Sequence, residues 1–219
     1  MIDIGICNEA LSYASTKSTI SSINEDSIEA IQCRVHYEAT RKEVLIGAYW
    51  PFARRRVALS LLDVTEQGWL YTYLYPNDCL KPLMIFPNED GEITTEFSNL
   101  GNVRDAQNNL VIFQEGNKVM PDTSVVRLIN TNAQNAVMIY MGDVQNHSIF
   151  SLDFRTAFTW ALSAKLAIAL SGSANLVTML RGQAQGLLQQ AMQAHSLESN
   201  RDSRPVIYNP IPTGIQARG

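Results

Sequence analysis

Apolar residues open the chain at a four-residue spacing: Ile2, Ile6, Ala10 and Ala14, with Cys7 and Leu11 beside them. On a helix this spacing makes one stripe, which predicts a first helix over residues 2–14, ended by the Ser/Thr/Lys run of 15–22. A second helix is expected to begin near Asn24, whose side chain can accept from unpaired backbone N–H groups. Glu25 and Asp26 then lie at the positive end of the helix dipole. Ile28, Ile31, Val35, Ala39 and Ile46 form its apolar face, broadened by Tyr37, Val44 and Leu45. Continued to Ala48, this helix would be roughly 36 Å long. Pro51 favours an extended conformation at Trp50 and so stops it.

Between residues 69 and 140 the pattern shortens. Residues 69–75 are rich in aromatics and predict a strand. Further strand candidates are 83–86, 93–97, 110–114, 118–120, 125–129 and 137–140, separated by Pro, Gly and Asn. Glu115-Gly116-Asn117 is read as a hairpin turn, because Gly can take the positive φ of a tight reversal. The Asn-rich spans 99–109 and 130–135 are read as exposed loops.

Helical spacing returns from Leu152, behind Ser151 as a cap: Phe154, Phe158, Ala161/Leu162, Lys165/Leu166 and Ala169 follow it. Ser171-Gly172-Ser173 breaks that helix, and a last one carries Leu176, Met179/Leu180, Ala184, Leu187/Leu188, Ala191 and Met192 to about Asn200. Pro205, Pro210 and Pro212 bar a regular helix beyond it. The expected fold class is α+β. A helical bundle comes from both ends of the chain (residues 1–62 and 150–200), a small antiparallel β domain is inserted at 63–149, and 201–219 forms an extended tail.

Composition adds a bias. Charged residues make up 17% of the chain, below the usual value of about 25%. Polarity comes instead from sixteen Asn and twelve Gln. Amides are cheaper to bury than charges, so such a surface suits contact with other subunits. A net charge of −4 argues against a dedicated nucleic-acid binder, which needs a basic face to displace counterions. Cys7, Cys33 and Cys79 have neither metal-ligand nor disulfide spacing and read as buried small hydrophobes in a reducing compartment. The first ten residues hold Asp3 and Glu9 and do not read as a signal peptide. The apolar stretch 157–170 is too short to span a bilayer and is interrupted by Lys165. Assembly in the cytoplasm is therefore expected.

Candidate chemistry is sparse. His36, His147 and His195 lie in no metal or catalytic cluster, and no nucleophile elbow, phosphate loop or dinucleotide fingerprint occurs. Residues 88–92 (Asn-Glu-Asp-Gly-Glu) lack the ligand pattern of a calcium loop and read as a solvated turn. Arg54, Arg55 and Arg56 are the one basic run, read either as a contact for an acidic neighbour or DNA, or as the solvated end of a helix–loop junction. Trp50, Phe52, Trp69, Tyr71 and Tyr73 could stack bases but fit better as the core between helices and strands. No catalytic residue, cofactor site or metal site is assigned.

Several signatures nevertheless follow one another in a fixed order: Asn8-Glu9-Ala10-Leu11; Glu29-Ala30 with Cys33 and Tyr37; Ala48-Tyr49-Trp50-Pro51-Phe52-Ala53; Trp69-Leu70-Tyr71; Leu74-Tyr75-Pro76-Asn77-Asp78-Cys79-Leu80-Lys81; and residues 158–173. Together they span roughly residues 4–204, and in this order the chain resembles the tail tubular protein A family, the head-to-tail adaptors of short-tailed bacteriophages. Two departures stand out: Pro51 follows Trp50 where the family has Asn, and Lys81 stands where Arg is usual.

The resemblance implies a virion protein that is not an enzyme. It would form a ring of twelve subunits between the portal and the tail nozzle, made in the host cytoplasm, with no cofactor and no membrane contact. DNA would pass through the ring without specific binding. The closing segment, with Val206, Ile207, Tyr208, Pro210 and Ile211, is the expected portal contact, and Arg54, Arg55 and Arg56 are candidates to face a neighbouring subunit or DNA. A neck or nozzle-side tail component is the alternative position. A single-stranded nucleic-acid binder and a virion-borne cell-wall hydrolase are the alternative classes.

Overall fold

The computed structural model describes residues 2–87, 109–119 and 123–202, with side chains in the last helix as far as Ala194. Helix α1 (Ile4–Tyr13) starts at Asp3, whose Oδ1 accepts from the N–H groups of Gly5 (2.7 Å) and Ile6 (3.3 Å). Its stripe of Ile6, Cys7, Ala10 and Leu11 is buried. Helix α2 (Ile28–Gly47) begins later than the sequence suggests. Ser27, not Asn24, is the cap, its Oγ accepting from the N–H of Ala30 at 3.3 Å. Glu25 is occupied by the Ser27 hydroxyl and the Ser21 N–H, and Arg34 donates to the carbonyls of Ile23 and Glu25. These bonds hold 21–26 as a turn.

The buried face of α2 also differs from the expected one. Ala30, Cys33, Tyr37, Thr40, Arg41, Val44 and Leu45 face the core, whereas Ile28, Ile31, Val35, Ala39 and Ile46 point away from it.

After a 3-10 turn at Pro51–Ala53 comes β1 (Arg54–Ala58), which the sequence reading took for a helix–loop junction. It exists because it pairs antiparallel with a distant strand, from Arg54 opposite Met141 to Ala58 opposite Val137. The remaining elements are β2 (Tyr71–Leu74), β3 (Cys79–Pro87), β4 (Phe113–Val119), β5 (Val125–Thr131), β6 (Ala136–Gly142), α3 (Leu152–Leu170) and α4 (Ala174–Asp202). Ser151 caps α3, its Oγ accepting from the Phe154 N–H at 3.4 Å. The strands form two antiparallel sheets, ordered β1-β6-β3 and β2-β5-β4. Pro82 is tolerated in β3 because that strand lies at a sheet edge and shifts register there. The fold class is thus α+β, and the first sheet takes β1 from before residue 62 and β3 and β6 from after it.

Two turn assignments are corrected. Glu115-Gly116-Asn117 is not a reversal: Gly116 sits inside β4 opposite Leu128, and the chain turns between Val119 and Val125. Glycine suits the place because a Cβ there would lie 3.3 Å from Asn130 Nδ2. The span 130–135 is only in part an exposed loop: Asn130 and Thr131 end β5, and 132–135 is a turn with Gln134 and Asn135 exposed. Asn130, Thr131 and Ala133 are buried, Asn130 Oδ1 accepts from the Thr72 hydroxyl at 2.8 Å, and Asn132 bonds the backbone of Leu110 and Ile112. The expected strand at 93–97, the turn at 88–92, the loop to 108 and the tail residues Val206, Ile207, Tyr208, Pro210 and Ile211 lie outside the described residues.

Helix α3 is the centre of the helical layer, packing on α1, α2 and α4. Phe154 is the hub of its aromatic contacts. Trp50 and Phe52 meet it edge-on, each at 5.1 Å between ring centroids, and Phe150 lies at 4.6 Å. Strand β6 is the centre of the β layer and is buried along its whole length. Met138 and Tyr140 face the core with Tyr73, Tyr75 and Ile129 of the second sheet; Val137 and Ile139 pack with Met84 and Phe86; Met141 joins the helical core.

Candidate functional site

The three arginines do not form one basic patch. On a strand successive side chains alternate between faces, so Arg55 points opposite to Arg54 and Arg56. Arg55 lies across β6 and forms an ion pair with Asp78, whose other oxygen accepts from the Tyr140 hydroxyl at 2.8 Å. Gly142 makes room for it, since a Cβ there would come within 2.5 Å of Arg55 Nε. Arg56 stands over the Phe86 ring at 5.1 Å. All three remain exposed on an edge strand, and Arg55 and Arg56 are engaged inside the chain. Burial and the bond to Asp78 push the Tyr140 hydroxyl up to about 12.

Residues that carry the ordered signatures are mostly structural. Asn8 clamps the 15–20 segment, accepting from the Ile20 N–H (2.8 Å) and donating to its carbonyl (3.0 Å). Tyr37 packs edge-on against Phe158 and accepts from the Asp3 N–H; burial raises its hydroxyl to about 12. Trp50 is buried, with Nε1 donating to the Val44 carbonyl at 2.8 Å. Of the aromatics considered for base stacking, Trp50 and Tyr73 lie in the core, Phe52 is wedged between Phe150 and Phe154, and Trp69 and Tyr71 are half-buried. Cys7, Cys33 and Cys79 are all buried. Burial drives the Cys79 thiol up to about 11, and a hydrogen bond between the Cys7 and Cys33 thiols, with burial, drives the Cys7 thiol up.

One structural residue went unnoticed in the sequence. Arg41 is 1% exposed, and its guanidinium reaches Glu38 and Asp143, each at 2.6 Å, and the Val144 carbonyl. It latches α2 to the segment that follows β6. Its signal is helical phase, four residues after Tyr37 and three before Val44, which places it on the buried face. Burial alone would raise the Asp143 carboxyl, but Arg41 and then Lys42 overrule it and hold it below its ordinary value.

Two outward helix faces stand apart from the rest of the surface. On α2, Ile28 (64% exposed), Ile31, Val35 (61%), Ala39 and Ile46 make an apolar row diametrically opposite the buried one. Lys42 and Glu43 flank the row, and both are paired within the chain, Lys42 with Asp143 (3.3 Å) and Glu43 with Lys165 (2.7 Å). On α4, Asn175, Thr178, Gly182, Gly186 and Gln189 run along the side away from Leu180, Ala184 and Ala191. A Cβ added at Gly182 or Gly186 meets nothing within 4 Å. Each glycine there costs the helix about 1 kcal/mol relative to Ala, and no contact among the described residues explains it.

Other features are slight. A shallow groove of about 150 Å³ is lined by residues 57–60 and 74–77, at the ends of β1 and β2 and just beyond them. His147 Nε2 is 3.9 Å from Asp3 Oδ2, beyond hydrogen-bond reach, and His36 is half-buried on α2. Among the described residues no three His, Cys, Asp or Glu side chains converge as metal ligands, and no helix is long and apolar enough to cross a membrane. Comparison with protein-family models and with curated proteins finds no match for this chain.

Proposed function

We propose that this chain is a structural subunit of a bacteriophage virion. It is a head-to-tail adaptor that assembles as a ring between portal and tail nozzle and extends the DNA channel, with no reaction of its own. The observation that carries the reading is the uncovered apolar row of α2. A helix that is apolar on two opposite sides is a helix built to be covered on both, and the described residues cover one. That demand fits a protein whose work is to be one of many contacting copies.

The place of the ring in a phage tail rests on the ordered signatures. Their residues are the core and clamps of this fold (Asn8, Cys33, Tyr37, Trp50, Cys79), so the signatures support the reading through residues that build the fold and not through a reactive group. The acidic balance of each copy suits a channel wall that repels DNA and lets it slide. Arg54, Arg55 and Arg56 are the candidate contacts for a neighbour or for DNA, and Val206, Ile207, Tyr208, Pro210 and Ile211 those for the portal.

Size-exclusion chromatography with light scattering, on the chain alone and mixed with its purified portal ring, tests the reading. Co-elution at one adaptor per portal subunit is expected, and loss of co-elution on deleting residues 205–219 would bear out the tail contact. Co-elution that survives the deletion removes the tail's role and keeps the adaptor. Failure to associate removes the adaptor reading and favours a neck or nozzle-side component.

A further inference from the structure

The outward row of α2 runs from Ile28 to Ile46, about 27 Å along the helix axis. Its side chains are branched and stand proud: Ile28, Ile31, Val35 and Ile46 are all well exposed. Exposed apolar side chains in such a row, interrupted between Ala39 and Ile46 by Lys42 and Glu43, mark a contact site. The two charges beside it, on Lys42 and Glu43, are paired inside the chain, so covering the row leaves neither charge unpartnered.

The chain also carries the complement of this ridge. From Ala174 to Ala194, α4 holds a single charged residue, Arg181, and its outward side is amide, hydroxyl and glycine apart from the exposed Met179 and Met192. Gly182 and Gly186 leave a recess with open space above it. In a monomer these glycines weaken a solvent-facing helix without return. Against another helix they allow the close approach that a row of Ile and Val needs to settle into a groove. Amides at its rim are cheaper to cover than charges. Both rows point outward, and they lie on different helices of one protomer.

We propose that the α2 ridge of one copy seats in the Gly182–Gly186 groove on α4 of a second copy. The inference rests on the ring reading above and names the surface that would build the ring. The contact is heterologous: each copy keeps an unused ridge on one side and an unused groove on the other, so copies add in sequence and close by rotation. A self-pairing of two α2 ridges would stop at a dimer and leave the α4 groove uncovered.

The test uses full-length single variants Val35→Cys and Gly182→Cys, with the native buried cysteines in place, each alone and mixed, on the protein by itself and on the portal ring. Under mild oxidation the mixture is expected to give a disulfide-linked dimer, and the double variant a ladder of higher species. Val35→Cys alone is expected to give neither. Val35→Glu is expected to weaken assembly at least about tenfold with no change in the protomer's melting temperature.

Gly182→Leu separates assembly from folding. The better helix former is expected to raise the protomer's Tm by about 2–4 °C while abolishing assembly. Self-crosslinking of Val35→Cys as efficient as that of the mixture would overturn the heterologous contact. Rings that form on the portal, do not crosslink in the mixture and are indifferent to Val35→Glu would overturn this interface and leave the adaptor reading intact. A chain that stays monomeric alone and with portal would overturn both.

Discussion

The helical layer and the sheets of this protein secure their polar groups in different ways. In the helices a buried charge does the work: Arg41, enclosed among Tyr37, Val44 and the segment after β6, holds Glu38, Asp143 and the Val144 carbonyl. In the sheets tyrosine hydroxyls do it. Tyr73 donates to the Ala133 carbonyl (3.0 Å) and accepts from the Ala136 N–H (3.3 Å), Tyr140 bonds Asp78, and Tyr75 lies under the Arg127 guanidinium at 3.7 Å while bonding the Cys79 thiol. A charge that loses its partner in the interior is far costlier than a hydroxyl that loses one. The two layers should therefore differ both in how severely a single substitution damages them and in the end of the pH scale at which they fail.

Arg41→Met is the severest way to break this contrast. It leaves Asp143 partly buried beside Lys42 alone, and is expected to cost about 3–5 kcal/mol in urea unfolding. Tyr73→Phe strips one hydroxyl that serves two backbone groups and is expected to cost about 1–3 kcal/mol.

Titration sharpens the same contrast. Asp143 is held below its ordinary value in the folded chain, so its contribution is present above the unfolded value near 4 and is lost as the pH falls through the lower folded value. Asp143→Asn should flatten the acid limb of the stability profile. In the sheets Tyr140 is held up to about 12, and burial raises Tyr73 and Tyr75 as well. Their contribution is present below the unfolded value of about 10 and is lost as the pH rises through the raised folded values. Alkaline unfolding followed by phenolate absorbance should therefore begin only above about pH 10. Tyr140→Phe should remove one titrating group from that limb.

Smaller effects are expected at the helix starts. Asp3→Ala removes the α1 cap and should cost about 1 kcal/mol by thermal melting. Smallest is Arg55→Ala, whose pair with Asp78 is half-exposed and should be worth under about 1 kcal/mol. A loss there as large as at Arg41 would mean that the sheets, too, depend on a charge.

Much of the architecture was legible in the residues. The stripe of α1, most of those of α3 and α4 (Ala169, Met179 and Met192 are exposed), the cap at Ser151, the break at Ser171-Gly172-Ser173 and the strands β2, β5 and β6 follow from periodicity and punctuation. The misreadings share one cause. Gly116 looks like a turn until β5 is laid beside it, Asn130 looks exposed until Thr72 reaches it, and Arg54–Ala58 looks irregular until β6 pairs with it. Each is decided by a residue far away in the chain, which local pattern does not reveal.

Helix α2 marks the boundary most sharply. Residue pattern alone requires a helix there that stops before Pro51, with Ile28, Ile31, Val35, Ala39 and Ile46 as its apolar face. Packing turns the other side inward. Tyr37, Val44 and Leu45 fit against the aromatic spine of α3, and Arg41 finds its carboxylates on the same side, while Ile28, Val35 and Ile46 meet no such surface among the described residues. Periodicity records that a face is apolar. What that face touches is settled by shape and by partners that the helix does not itself contain.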